Sequence, residues 1–246
     1  HVAVITSSLG AHGASAPVAG CGASPPANDH AYLLPKVRTG TTLGSYNGTG
    51  FLAWDPEQKL EPAGDADAAH LGQQFGDMVK AAGEGGCGYE ASLEAWYRFL
   101  IDPEPPSSIV LDADGRSTPG PVDTELLAQR AAFLRPDSLV SIVMLTDEND
   151  CSIRDDEFGN WLASTNRVPT RATSICAKDP NDRCCLPCSV AVEGCPDPKT
   201  DAACTLGDYL TRKGEDPPNL RCLQNKRRYG YDFLYPTSRY VDGLTK

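Results

Sequence analysis

The stretch Ser138-Leu-Val-Ser-Ile-Val-Met-Leu-Thr-Asp-Glu-Asn-Asp-Cys151 decides how this chain is read. Leu139 to Leu145 is apolar except for Ser141, and Thr146, Asp147, Glu148, Asn149 and Asp150 follow without a break. A short run rich in β-branched residues and apolar on both faces predicts a strand buried on both sides. Each large side chain so buried contributes about 1.5–3 kcal/mol. In open α/β sheets ligands bind beyond the carboxyl ends of the strands. Three carboxylates gathered there repel unless water or a cation compensates. Asp147, Glu148 and Asp150 are hard oxygen ligands suited to Mg²⁺ or Ca²⁺, and the plainer reading is a solvated acidic turn with Asp150 as a cap.

Working outward, Val2 to Thr6 forms a second apolar run, expected as another buried strand. Between Gly10 and Gly50 no period survives, and a loop of that length implies function or a cross-link, with Cys21 available as the pin. Phe51-Leu52-Ala53-Trp54 offers a hydrophobic anchor. Leu71, Phe75, Met78, Val79 and Ala82 share one helical face, in a helix that starts near Ala68 and stops at Gly83 or Gly85. A second helix carries Leu93, Trp96, Tyr97 and Leu100 inward and ends at Pro103. A third, capped by Asp123 or Thr124, carries Leu127, Ala131 and Leu134 before Arg135-Pro136-Asp137 breaks it. After Cys151 only brief helical patches remain, near Phe158–Leu162 and Thr170–Cys176. Aromatic residues return from Asn225 to Leu244, where the chain is expected to dock again on the core.

The charge and the cysteines bound the function. The chain has 246 residues and a net charge of −11, which argues against nucleic acid because nothing could neutralise a row of phosphates. Lys226-Arg227-Arg228 reads as a solvated helix face. No stretch is long and apolar enough for a transmembrane helix. The ten cysteines are Cys21, Cys87, Cys151, Cys176, Cys184, Cys185, Cys188, Cys195, Cys204 and Cys222. Their even number in loop-like sequence reads as a disulfide framework formed after export. Three lie at or before Cys151 and seven after it. Full pairing therefore needs at least one bridge between the two parts, and Cys151 is the natural candidate. The zinc alternative, Cys184, Cys185 and Cys188 completed by Cys176 or Cys195, lacks a nearby histidine and a zinc-ribbon spacing. Asp112-Ala-Asp114-Gly115 lacks the outer ligands of a calcium loop, and Asn47-Gly-Thr49 is a formal glycosylation sequon. No nucleophile elbow, His-Glu-x-x-His or phosphate loop is present, and a triad from His70, Asp147 and a serine is recommended by nothing in the spacing.

Three segments together carry a resemblance: Val2-Ala-Val-Ile-Thr-Ser-Ser-Leu-Gly10, Gly86-Cys-Gly-Tyr-Glu-Ala-Ser-Leu-Glu-Ala95, and Phe133-Leu-Arg-Pro-Asp-Ser-Leu followed by the opening stretch. Their order resembles secreted bacterial proteins with a von Willebrand factor type A-like (VWA) domain. The likeness covers most of residues 1–151 and is looser beyond. It implies a doubly wound, mostly parallel α/β sheet with a disulfide-rich insertion. The division implied is 1–150 as the α/β core, 151–224 as the Cys-rich insertion and 225–246 as the return to the core. It also implies a divalent ion at the strand ends, with Asp147 matching the aspartate that ends a later strand. Cys87 stands where the family has a threonine, and no Asp-x-Ser-x-Ser is present, so the first strand and its ligands are expected upstream of His1. The function expected is non-catalytic: a divalent-cation-dependent protein-binding or adhesion module of an exported bacterial protein. Its partner would be a protein ligand or envelope component, and its place the periplasm, the outer surface or the medium, with lipid anchoring through a preceding segment as one route. The alternatives are a structural envelope protein that has lost ion binding and, more distantly, a secreted hydrolase.

Overall fold

In the computed structural model, residues 1–18, 20–38, 43–136, 138–167, 169–209 and 213–245 are described. Asp137, the last residue of the expected helix break, lies outside them. Among them the α-helices are α1 (Leu34–Val37), α2 (Ala68–Ala82), α3 (Ser92–Leu100), α4 (Thr124–Phe133), α5 (Gly159–Leu162), α6 (Ile175–Lys178), α7 (Asn225–Tyr229) and α8 (Thr237–Thr245), with short 3₁₀ turns between some of them. The sheet is one antiparallel pair, β1 (Ile109–Leu111) and β2 (Ser117–Pro119), with Val110 opposite Thr118. The expected doubly wound parallel sheet is therefore wrong.

The error lies in the two apolar runs. Val2–Thr6 makes a single antiparallel bridge, Val2 to Leu52, and is only half-buried. Leu139–Leu145 belongs to no helix, turn or strand among the described residues, and Leu139, Val143 and Leu145 are 94%, 80% and 86% exposed. Apolar β-branched sequence supplies a propensity to pair, whereas a strand exists only where neighbours satisfy its N–H and C=O groups. No described segment does so here. It follows that Val143→Ser changes the unfolding free energy by less than about 0.5 kcal/mol, as for other surface positions. A chemical denaturation loss of about 1.5–3 kcal/mol would instead restore the buried strand.

The helices obey local rules more closely. Asp67 caps α2 by accepting from the N–H groups of Ala69 and His70, and Asp123 caps α4 by accepting from Leu126. Both helices lie where spacing and capping predict them. Their buried faces differ from expectation. Of the five apolar positions predicted in α2 only Met78 is fully buried, while Phe75 and Val79 are exposed. In α4 it is Leu126 that reaches the core, with Leu127 half-buried and Ala131 exposed. In α3 the buried face is Glu94, Ala95, Trp96, Arg98 and Phe99, with Leu93, Tyr97 and Leu100 only half-buried.

Two apolar clusters do the packing. One gathers Leu33, Phe51, Ala53, Ala95, Phe99 and Leu126, with Ala3 and Ile5 against it. The other gathers Val18, Tyr89, Ile153, Leu162, Tyr209, Tyr229 and Phe233, with Tyr229 and Phe233 coming from the aromatic stretch near the end of the chain. Neither offers the long continuous face of a sheet, and covalent cross-links supplement them. All ten cysteines pair, as Cys21–Cys87, Cys151–Cys222, Cys176–Cys185, Cys184–Cys195 and Cys188–Cys204. Cys151–Cys222 is the bridge between the two parts that the odd counts require. Such a framework belongs to an oxidising compartment. Among the described residues no helix is long and apolar enough to cross a membrane.

Candidate functional site

The segment from Ser138 to Cys151 remains the place where chemistry gathers, in a form other than a strand end. At its start Ser138 closes a turn, its N–H and its hydroxyl both donating to the Arg135 carbonyl at 3.2 and 2.7 Å. Nearby, His1 Nδ1 lies 2.6 Å from the Phe133 carbonyl oxygen. At its far end the Cys151 N–H donates to the Glu90 carbonyl at 2.7 Å, and Thr146 Oγ1 lies 3.4 Å from Glu90 Oε2. Between these two anchors no hydrogen bond reaches the main chain of residues 139–145 among the described residues. The result is an open row of backbone donors and acceptors, with Val140 and Met144 also exposed beside Leu139, Val143 and Leu145.

The three predicted carboxylates separate in role. Asp150 Oδ1 accepts from the Leu93 N–H and the Ser152 hydroxyl, each at 2.9 Å, and Oδ2 accepts from the Ser152 N–H at 3.1 Å. It is a cap, placed on the first turn of α3, which precedes it in the chain. Asp147 and Glu148 are exposed, and among the described residues only the main chain of Glu148 is engaged, by Thr146 Oγ1. Cys87, standing at the expected threonine position, is consumed in the bridge to Cys21. Mg²⁺ demands near-octahedral oxygen ligation and Ca²⁺ takes six to eight oxygens. Among the described residues no three His, Cys, Asp or Glu side chains are arranged to hold a metal. The donor set at Asp147 does not fit either ion. The zinc alternative also falls, because Cys176, Cys184, Cys185, Cys188 and Cys195 are all in disulfides.

The largest concentration of buried charge lies elsewhere and was missed by the sequence reading. Asp155 is buried, accepts from Arg98 and lies 2.8 Å from His12 Nδ1. Arg98 also approaches Glu94 at 3.8 Å, one turn back on α3. Glu94 is held in turn by Arg239 of α8, through bonds of 3.1 and 3.0 Å, and by the Tyr240 hydroxyl at 3.2 Å. Burial alone would raise the Asp155 carboxyl, but Arg98 beside it, with help from His12 and Arg239, holds it below the usual range. For Glu94 burial wins, and its carboxyl is raised despite Arg98 and Arg239. The Glu94/Arg98 spacing of four residues was the one sequence signal available. His12 and Asp155 are separated by 143 positions and carried none. The network joins α3, α8, the first loop and the start of the Cys-rich part, and its members are buried apart from Arg239, which is half-buried.

An open groove of about 560 Å³ is lined by Tyr46, Gln58, Asp65, His70 and Gln74 among others. There His70 Nδ1 pairs with Asp65 Oδ2 at 2.6 Å, and not with Asp147, so the triad considered from sequence is not assembled. Comparison of the chain with family models, curated proteins and solved structures gives no match. The resemblance to type A domains thus gains no support from relatives, and its fold is overturned by the two-stranded sheet.

Proposed function

We propose that this chain is a non-catalytic protein-binding module of an exported protein, and that residues 138–146 are its binding element. The reading rests on one observation. Five large apolar side chains stand exposed along a segment whose backbone is unpaired, while both ends of that segment are tied down. Contiguous exposed apolar surface marks interaction sites, and open backbone groups are a template for another strand. Partners that add a strand to such a row gain main-chain hydrogen bonds, and side-chain pockets supply the specificity. The ion is left out of this reading because the carboxylates do not assemble a site for it. The structural-envelope alternative is favoured by the same Cys21–Cys87 bridge, which removes Cys87 from any ligand role. Both readings use the surface at 138–146.

Hydrogen exchange tests the binding element directly. In the dilute protein the amides of Leu139–Leu145 exchange at nearly unprotected rates, while those of α3 resist. Adding a panel of end-blocked nonapeptides rich in valine and isoleucine slows exchange at 139–145 and leaves the Cys-rich part unchanged. If that segment is unaffected by every peptide, or is already protected in the dilute protein, the reading fails.

A further inference from the structure

We propose that residues 139–145 are a processing site: an endoprotease with an apolar S1 pocket cuts the chain once there, and the two pieces stay together as a non-covalent two-chain protein. Openness of the segment is all that is shared with the binding reading; no strand-adding partner is required. Endoproteases act on chain that is exposed and free of internal hydrogen bonds. From Leu139 to Asn149 every residue is exposed except the half-buried Ile142, and among the described residues the main chain of 139–145 is unpaired. Leu139, Met144 and Leu145 present the exposed apolar side chains that such a pocket takes. The step adds one water across one amide, leaving a carboxylate on the residue before the cut and an ammonium on the residue after it. No other reactant is needed.

The way the molecule divides at this segment separates it from an ordinary accessible loop. Cys21–Cys87 lies wholly before it, and Cys151–Cys222, Cys176–Cys185, Cys184–Cys195 and Cys188–Cys204 lie wholly after it, so no bridge joins the two pieces. Each piece keeps an apolar cluster of its own, with Leu33, Phe51, Phe99 and Leu126 in the first and Ala172, Cys176 and Cys185 in the second. The buried charges do the reverse and cross the cut. His12 and Arg98 of the first piece meet Asp155 of the second, and Glu94 of the first meets Arg239 and Tyr240 of the second. The Leu93 N–H donates to Asp150, and the Cys151 N–H to the Glu90 carbonyl. A shared apolar cluster backs these bonds, setting Val18 and Tyr89 against Ile153, Leu162, Tyr229 and Phe233. Parting the pieces would expose that cluster to water and break the buried ion pairs, so association outlasts the peptide bond.

Limited digestion of the full chain with chymotrypsin, read by mass spectrometry, locates the cut. The expected first products are two pieces divided between Leu139 and Thr146. They separate in denaturant without reductant, and in native buffer they leave a sizing column together at the size of the uncut chain. Leu139→Asp combined with Met144→Asp and Leu145→Asp blocks the cut and leaves the melting temperature unchanged, since those side chains are exposed. In protein isolated from the organism that exports it, N-terminal sequencing finds a second chain start between Val140 and Thr146. Native protein found only as the uncut chain overturns the proposal. So do a first cut elsewhere, pieces that need reductant to separate in denaturant, and pieces that part in native buffer. A single cut at 139–145 with no response to the nonapeptides sinks the binding reading alone. Protection by the nonapeptides without native cleavage sinks the processing site alone, and amides already protected in the dilute protein sink both.

Discussion

Arg98→Met lowers the unfolding free energy by about 3–5 kcal/mol at neutral pH, because it leaves buried carboxylates without their cation. Arg98 is 3% exposed and stands between Asp155 and Glu94. Without it Asp155 keeps His12 and the more distant charge of Arg239, and Glu94 keeps Arg239 and Tyr240. The loss depends on pH with a definite sign. Asp155 has a folded-state pKa below its unfolded one, so its contribution is complete above the unfolded value near pH 4 and disappears as pH falls through the folded value. Glu94 is raised, so it opposes folding increasingly as pH climbs from its unfolded value through its folded one. Removing Arg98 raises both carboxyls. The difference between wild type and Arg98→Met is therefore largest at neutral pH, begins to shrink as pH falls through the raised Glu94 value, and is lost only as pH falls through the lowered Asp155 value. Urea unfolding at pH 7 and pH 3 measures it. A loss under about 1 kcal/mol at pH 7, or one equal at the two pH values, would show that the network contributes nothing as an ion cluster.

Breaking Cys151–Cys222 has an effect of similar size through a different route. The bridge closes 71 residues, and in the chain-entropy account a loop of that length restricts the unfolded state by about 4 kcal/mol. Cys176–Cys185 closes only nine, for which the same account gives about 3 kcal/mol. The paired replacement Cys151→Ala with Cys222→Ala is thus expected to cost more than Cys176→Ala with Cys185→Ala in chemical denaturation. It also loosens one end of the open segment, because Cys151 donates to Glu90 and its neighbour Asp150 caps α3. Equal or inverted costs would mean that native-state packing around the bridges, not loop length, decides their value.

The elements that were readable in advance share one property: their hydrogen bonds close within a few residues. Asp123 announces α4 because a cap satisfies an N–H group three positions on, and α2 is announced by its apolar spacing from Ala68, with Asp67 found as its cap in the structure. The inward faces of those helices were less legible, since periodicity identifies a stripe and says nothing of what stands opposite. Trp96 met the expectation, whereas Phe75 and Val79 found no neighbour to cover them. On α3 the core takes Glu94 and Arg98, which an apolar pattern ranks as surface, because Asp155 and Arg239 arrive from distant parts of the chain to neutralise them. Asp150 was foreseen as a cap, but for whatever follows it. The N–H it accepts from on α3, that of Leu93, lies 57 residues earlier.

By itself, then, the sequence determined an oxidising environment, the need for at least one bridge between the parts that meet at Cys151, and the places where α2 and α4 begin. Those follow from counting thiols and from groups that meet within one turn. Only the tertiary structure decided that Leu139–Leu145 is open, that Asp150 serves α3, and that His12, Arg98 and Asp155 meet. A strand needs partners on its edges and a buried ion needs a counter-ion, and both come from residues scores of positions away, whose arrival no local pattern records.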